Sequence, residues 1–176
     1  QTFRNQFSQP FDFTEFNTIM IKTYCSSNLL NVFDPSYIPK SGKQTDHLGM
    51  FWSGCSQKAL KGLEIGGFAV VDVDNNTAFS LEAVQTPASK ELKAEGKTLV
   101  NHYASLVIER KDILLSFSKY FGVDGYFAKK EFVQPITEQT GMHIISKMRQ
   151  DANLWYIYKG QPTGKSGRPK TVDGKI

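Results

Sequence analysis

The stretch LEIGGFAVVDVDNNTAFSLEAV, residues 63–84, commits this chain to a sheet. Residues 63–76 read as a long buried strand closing in an Asp-Asn-Asn turn. Residues 77–84 then alternate, with Phe79, Leu81 and Ala83 on one face and Ser80 and Glu82 on the other. Two strand-like runs joined at DNN predict an antiparallel hairpin, and Asp72 and Asp74 are read as part of its turn chemistry.

Around the hairpin the pattern alternates between helix and strand. Phe13, Phe16, Ile19, Met20 and Thr23 follow a 3.6-residue period over 13–24, with Thr14 a weak cap. The apolar run Leu29, Leu30, Val32 and Phe33 predicts a first strand that ends on Asp34 and Pro35. Residues 41–62 read as a loop with a short extended piece. Leu92, Leu99, Leu106 and Ile113 recur seven apart in a helix over 88–117, with Tyr103 and Val107 in the same stripe. Gly96 weakens its first turns by ~1 kcal/mol relative to Ala, so the regular helix starts after it. A strand over 119–127, a helix ended by Gly141 and containing Pro135, and a strand over 142–149 complete the order. From Tyr158 onward Gly, Pro, Lys and Ser dominate and the pattern stops. This order predicts an α/β fold with a mixed sheet covered by helices. The expected organisation is a helical segment at 1–28, a core at 29–158 and a basic, loop-rich tail at 159–176.

Composition bounds the function. A chain of 176 residues, 40% apolar and 12% aromatic, suits one folded domain. No run approaches the ~20 apolar residues that span a bilayer, and no basic-then-apolar start marks a signal peptide. Cys25 and Cys55 stand in no metal or redox spacing, and so few cysteines favour a reducing, cytoplasmic compartment. The net charge of +4 is unevenly placed: residues 141–176 carry +5 and the remainder −1. A positive C-terminal field suits an anionic polymer such as nucleic acid, or is a solvated tail.

The candidate chemistry lies in Asp34 and Asp124, acids beside apolar strands. A carboxylate there costs several kcal/mol unless solvated, paired or metal-bound. Asp34–Pro35 and Asp124–Gly125 equally suit turns. If the two meet at the carboxyl edge of neighbouring strands, they form a hard-oxygen site suited to Mg²⁺, and two such ions would support phosphodiester cleavage. His47, His102 and His143 show no ligand spacing. Ser36 and Cys55 lack a nucleophile-activating pattern, and Gly66–Gly67 is no phosphate loop.

Taken in order, the segments FDPSYIPKSGK, GCSQKALKGLEIGGFAVVDVDNNTAFSLEAV, VDGYFAKKEFV, GMHIISKMRQDANLWYIYKG and GRPKTVDGKI resemble the catalytic part of bacterial insertion-sequence DDE transposases. The shared blocks are D-x-S-x-x-x-K-x-G and DGYF-[AS]-K, and the resemblance runs from about Leu29 to the last residue. It implies an RNase H-like fold: three antiparallel strands, then helices alternating with two further strands. It implies Asp34 and Asp124 as catalytic metal ligands, Mg²⁺ or Mn²⁺ as cofactor, and DNA cleavage with strand transfer. It places Lys40 and Gly42 in a basic turn after the first aspartate. Lys40, Lys43, Lys129, Lys130, Arg149, Arg168 and Lys170 become DNA contacts, Arg149 being balanced between phosphate and Asp151. The implied partners are element ends and target DNA, with a homodimer to pair the ends, no membrane, and a bacterial, nucleoid-associated location. The family's third ligand, a glutamate on a helix after the fifth strand, is not reached by Ile176. Glu131 and Glu138 precede that strand, while Glu64 and Glu82 precede Asp124. The expectation is therefore a fragment or truncated copy, inactive alone. The alternatives are an inactive RNase H-like module that binds DNA or protein, and an unrelated metal-dependent nuclease on the same fold.

Overall fold

The computed structural model describes Asn5 and residues 9–148, 152–161 and 169–175. Helix α1 (Phe13–Tyr24) is capped by Asp12, whose side chain accepts from the Glu15 N–H at 2.8 Å, and not by Thr14. The Thr14 carbonyl instead accepts from the Thr18 hydroxyl inside the helix. There follow β1 (Leu29–Pro39), β2 (Gly49–Ser53), β3 (Lys58–Asp72) and β4 (Thr77–Gln85). Helices α2 (Ser89–Ala94), α3 (Leu99–Glu109) and α4 (Lys111–Leu115) lead to β5 (Tyr120–Val123). A 3₁₀ turn over Gly125–Phe127, α5 (Lys130–Thr140) and β6 (His143–Ser146) close the main body. Strands β7 (Trp155–Ile157) and β8 (Val172–Lys175) pair as a separate two-stranded sheet.

The main sheet is mixed and six-stranded, in the order β2-β3-β1-β5-β6, with β4 also on β3. Strand β3 is long enough to hold β2 at Lys58–Gly62 and β4 at Ile65–Asp72 along one edge while β1 runs antiparallel along the other. Strands β1, β5 and β6 are mutually parallel. Residues Asp72 and Thr77 close the expected hairpin.

Four expectations are corrected. Strand β1 does not stop at Asp34 but pairs with β3 as far as Pro39 opposite Gly62. It accommodates Pro35 and Pro39 because its pairing to β5 ends at Val32, leaving that edge without a ladder to break. Residues 58–62 are strand rather than loop. The helix over 88–117 is three helices, broken where Gly96 turns left-handed (φ 69°) and again at Arg110. The C-terminal stretch is not patternless, since Val172–Lys175 is strand β8. Helix α5 runs through Pro135 and stops on Gly141, whose φ of 72° favours a residue without a Cβ.

The core lies on one face of the sheet. Phe33, Phe68, Val70, Leu81 and Phe121 from the strands meet Ile21, Tyr103, Ala104, Leu106 and Val107 from the helices. Phe127 joins the same cluster, its ring centroid 5.8 Å from Phe33, 5.6 Å from Tyr103 and 4.8 Å from Phe132. Each such ring contributes roughly 1.5–3 kcal/mol by burial. Asn31 is fully buried, and its amide donates to the carbonyls of Leu114 (3.0 Å), Ser118 (2.8 Å) and Tyr120 (3.4 Å). This clamp fixes the entry of β5 against β1 and so sets where the two parallel strands end.

Candidate functional site

The last paired residues of β1 and β5 are Val32 and Gly122. Asp34 and Asp124 each stand two residues further on, so the shared register brings them near each other where the parallel β1–β5 pairing stops, Asp34 inside β1 and Asp124 just past the end of β5. The sheet turns to opposite sides here, with β3 beyond β1 and β6 beyond β5. Crevices at such a switch point are where open α/β sheets bind ligands.

Side-chain alternation assigns the faces. Asn31 and Phe121 are opposite each other and fully buried on the helix side. Val32 and Gly122 therefore face the other way, and a Cβ on Gly122 would lie 3.2 Å from Val32 and 3.4 Å from Leu30. Asp34, paired with Gly67, falls on this second face, and Asp124 follows β5 in extended backbone as the cap of the 3₁₀ turn. Leu30, Val32, Leu63, Ile65, Ala69 and Val71 share it and are only half-buried. None of the six belongs to the core cluster or to the partly buried residues packed against it.

Asp34 is solvent-exposed, yet partial desolvation first and the Asp124 charge second push its carboxyl above the ordinary range. Two carboxylates this close repel, which a divalent cation would relieve; their oxygen chemistry fits Mg²⁺ or Mn²⁺. Asp124 is held from two sides. One carboxylate oxygen accepts from the Tyr126 N–H at 2.9 Å, capping the 3₁₀ turn, and its carbonyl accepts from the Ser146 hydroxyl of β6 at 2.8 Å. Turn chemistry and the strand-end placement thus coexist in one residue.

A cleft of about 450 Å³ opens beside the pair, bordered among others by Pro35, Trp52, Glu64, Tyr103 and Tyr126. Glu64 is the third carboxylate of this cleft. Its position opposite Tyr37 puts it on the helix-covered face, where it is buried and accepts from the Tyr103 hydroxyl. Burial and this bond push the Tyr103 phenol strongly up. Among the described residues, no three acidic, His or Cys side chains converge as a metal-holding group. Upstream position alone set Glu64 aside in the sequence; its even spacing from Phe68 and Val70 was the available sign that it faces inward.

The basic candidates scatter. Lys129 sits over the Tyr126 ring, its ammonium 3.6 Å from the centroid, and so borders the cleft. Lys130 is exposed at the start of α5. Lys40 and Lys43 lie beyond the far end of β1 and not in a turn beside Asp34; the five strand residues Pro35–Pro39 stand between Asp34 and Lys40, a span of about 20 Å. Lys170 belongs to the separate small sheet region, paired with Asp173 at 2.7 Å and set over Tyr158. Arg149 and Arg168 lie outside the described residues. The histidines stay apart: His47 meets Glu91 at 3.0 Å and His143 stacks near Tyr120. Both cysteines are free thiols. No described helix is long and apolar enough to cross a membrane.

Fold and site together define a mixed α/β protein with two neighbouring carboxylates where the pairing of two parallel strands stops. Compared with known proteins, the chain matches no family model, and no curated protein matches it either.

Proposed function

We propose that this chain is the N-terminal part of an RNase H-like DDE transposase catalytic domain, acting on DNA phosphodiesters with a divalent metal. The observation that carries the proposal is the placement of Asp34 and Asp124, each two residues beyond the Val32–Gly122 couple and bordering one cleft. The sheet order supports it: a long antiparallel hairpin on β1, followed by parallel β5 and β6 with a helix between them. Asp34 and Asp124 would hold Mg²⁺ or Mn²⁺, which when bound supplies Lewis-acid activation of a water or 3′-hydroxyl and of the leaving oxygen. The chain's own contribution is orientation. The Tyr126 N–H and the Ser146 hydroxyl fix Asp124, the β1–β3 ladder fixes Asp34, and Lys129 stands at the rim for a phosphate. The half-buried apolar face beside the pair suits a further layer such as the glutamate-bearing helix of that family.

Calorimetric titration of Mn²⁺ into the wild type and into Asp34→Ala tests the assignment. Equal affinities would remove Asp34 from the site. A second reading, a non-catalytic RNase H-like module that binds DNA, is favoured by one observation: among the described residues no three acidic, His or Cys side chains converge as a metal-holding group. It predicts DNA binding that survives Asp34→Ala and Asp124→Ala, with no nicking under any metal.

A further inference from the structure

At the end of the sheet remote from the helix-to-strand entry, the face that carries Asp34 changes character. Ile38, Met50 and Trp52 are 44%, 58% and 62% exposed there. Their partners on β3 are Leu63, Lys61 and Ala59, which share parity with Gly67, the partner of Asp34. The three apolar side chains therefore stand on the same face as Asp34, while Phe51 between them is buried on the other. Lysines surround them. Lys61 lies directly opposite Met50 on this face, Lys58 is opposite Ser53 at the rim of the other face, and Lys40 and Lys43 follow the end of β1. All four are exposed. The ion pairs among the described residues are His47–Glu91, Lys97–Glu95, Arg110 with Glu82 and Glu109, and Lys170–Asp173, so none of the four lysines is neutralised.

Unpaired ammonium groups interleaved with an exposed indole are the chemistry of a single-stranded nucleic-acid platform: cations follow the backbone while a base stacks on the ring. A protein partner of acidic character would use the lysines but not the flat face of Trp52. We propose that Trp52, Met50, Lys40 and Lys61 form a docking site for an unpaired DNA strand. Met50 and Trp52 also line the cleft beside Asp34 and Asp124, so a strand seated on the patch reaches the carboxylates through that shared cleft. The inference rests on the DNA reading above for its ligand, but binding at this patch needs neither aspartate.

The test is fluorescence anisotropy of a labelled oligothymidylate against a blunt duplex of equal length, without divalent metal, across a salt series. Trp52→Ala is expected to weaken oligothymidylate binding about 5- to 100-fold with the salt slope unchanged. Trp52→Phe, which keeps a stacking face, should stay within about threefold of wild type. Lys40→Gln combined with Lys61→Gln should lower the slope of log affinity against log salt by about 1.4. Asp34→Asn should bind as tightly as wild type or more so, which separates this patch from the catalytic proposal. Wild-type affinity in Trp52→Ala, or equal preference for duplex, would overturn the stacking site whatever the nuclease assays show. Loss of nicking in every protein, with these binding effects intact, would sink the catalytic reading and leave the patch standing.

Discussion

Replacing Asp34 with Asn should stabilise the metal-free protein and abolish its stabilisation by Mg²⁺. Neighbouring strands lie ~4.8 Å apart, so carboxylates on β1 and just past the end of β5 are roughly 5–7 Å apart. At an effective dielectric of roughly 40–80, suited to groups open to water, their repulsion is about 0.6–1.7 kcal/mol. Removing it should raise Tm by about 2–4 °C per kcal/mol for a chain of this size. The sign with pH follows from the raised carboxyl of Asp34. A carboxyl held above its unfolded value binds its proton better in the native state, so it destabilises the fold as pH rises through about 4 and beyond. The advantage of the Asp34→Asn variant should thus be full at neutral pH and vanish below about pH 4. Magnesium reverses the order. At a free concentration ten times its Kd the wild type gains about 1.4 kcal/mol, whereas Asp34→Asn has lost a ligand and gains little. Differential scanning calorimetry with EDTA and with Mg²⁺ should show the two melting curves exchange places. A lower Tm for Asp34→Asn in EDTA, or equal shifts with magnesium, would refute the carboxylate pairing.

Other consequences are structural. Asn31→Leu removes the donor to three carbonyls at the entry of β5 and should cost about 2–4 kcal/mol by urea denaturation. Gly66→Leu would set a Cβ 2.8 Å from the Phe33 ring and should cost about 1–3 kcal/mol in the same assay. Asp72 accepts four hydrogen bonds from Ser26 and Asn75, led by the Ser26 hydroxyl, and its carboxyl is held far below the usual range. Its contribution is present above about pH 4 and lost as pH falls, so Asp72→Asn should flatten the acid limb of a stability profile.

The sequence revealed most where period and chemistry agreed. Residues 63–84 alternate and end in turn residues, and they became the β3–β4 hairpin with Asp72 in the polar role expected of it. The extent of β1 was hidden because Pro35 and Pro39 forbid only a ladder that needs their N–H, and which edge of β1 stays open depends on β5, some 85 residues later. Lys58–Gly62 looked like a loop because two lysines and a glycine interrupt any apolar pattern, yet it pairs along its length with β2 and, at Gly62, with β1. The adjacency of Asp34 and Asp124 was a long-range conjecture; it depends on the Asn31 clamp and the register at Val32, which periodicity does not encode. Sequence order set Glu64 aside without showing that it borders the same cleft from the other face.

That division of faces decides which carboxylates can share an ion. Strand alternation separates Glu64 from Asp34 although both border one cleft, because Glu64 pairs with Tyr37 and Asp34 with Gly67, an odd number of residues apart on β3. Glu64 is further committed to the Tyr103 hydroxyl, so recruiting it to a cation would strand a buried phenol at about 1–3 kcal/mol. Glu64→Gln should therefore leave Mn²⁺ affinity within about twofold of wild type, a difference of under ~0.5 kcal/mol. Gly67 is the contrasting position. It is directly opposite Asp34, on the same face, and a Cβ there meets only the Asp34 carbonyl oxygen at 3.6 Å. Gly67→Asp would supply a third oxygen ligand where Glu64 is unable to, lowering metal-free stability by about 1 kcal/mol of added repulsion and raising Mn²⁺ affinity by about tenfold or more for each additional ~1.4 kcal/mol of binding. Tighter Mn²⁺ binding in Gly67→Asp, unchanged in Glu64→Gln, is what the face assignment requires. The opposite ranking would mean that Asp34 and Glu64 share a side of the sheet, against the register of β1 on β3.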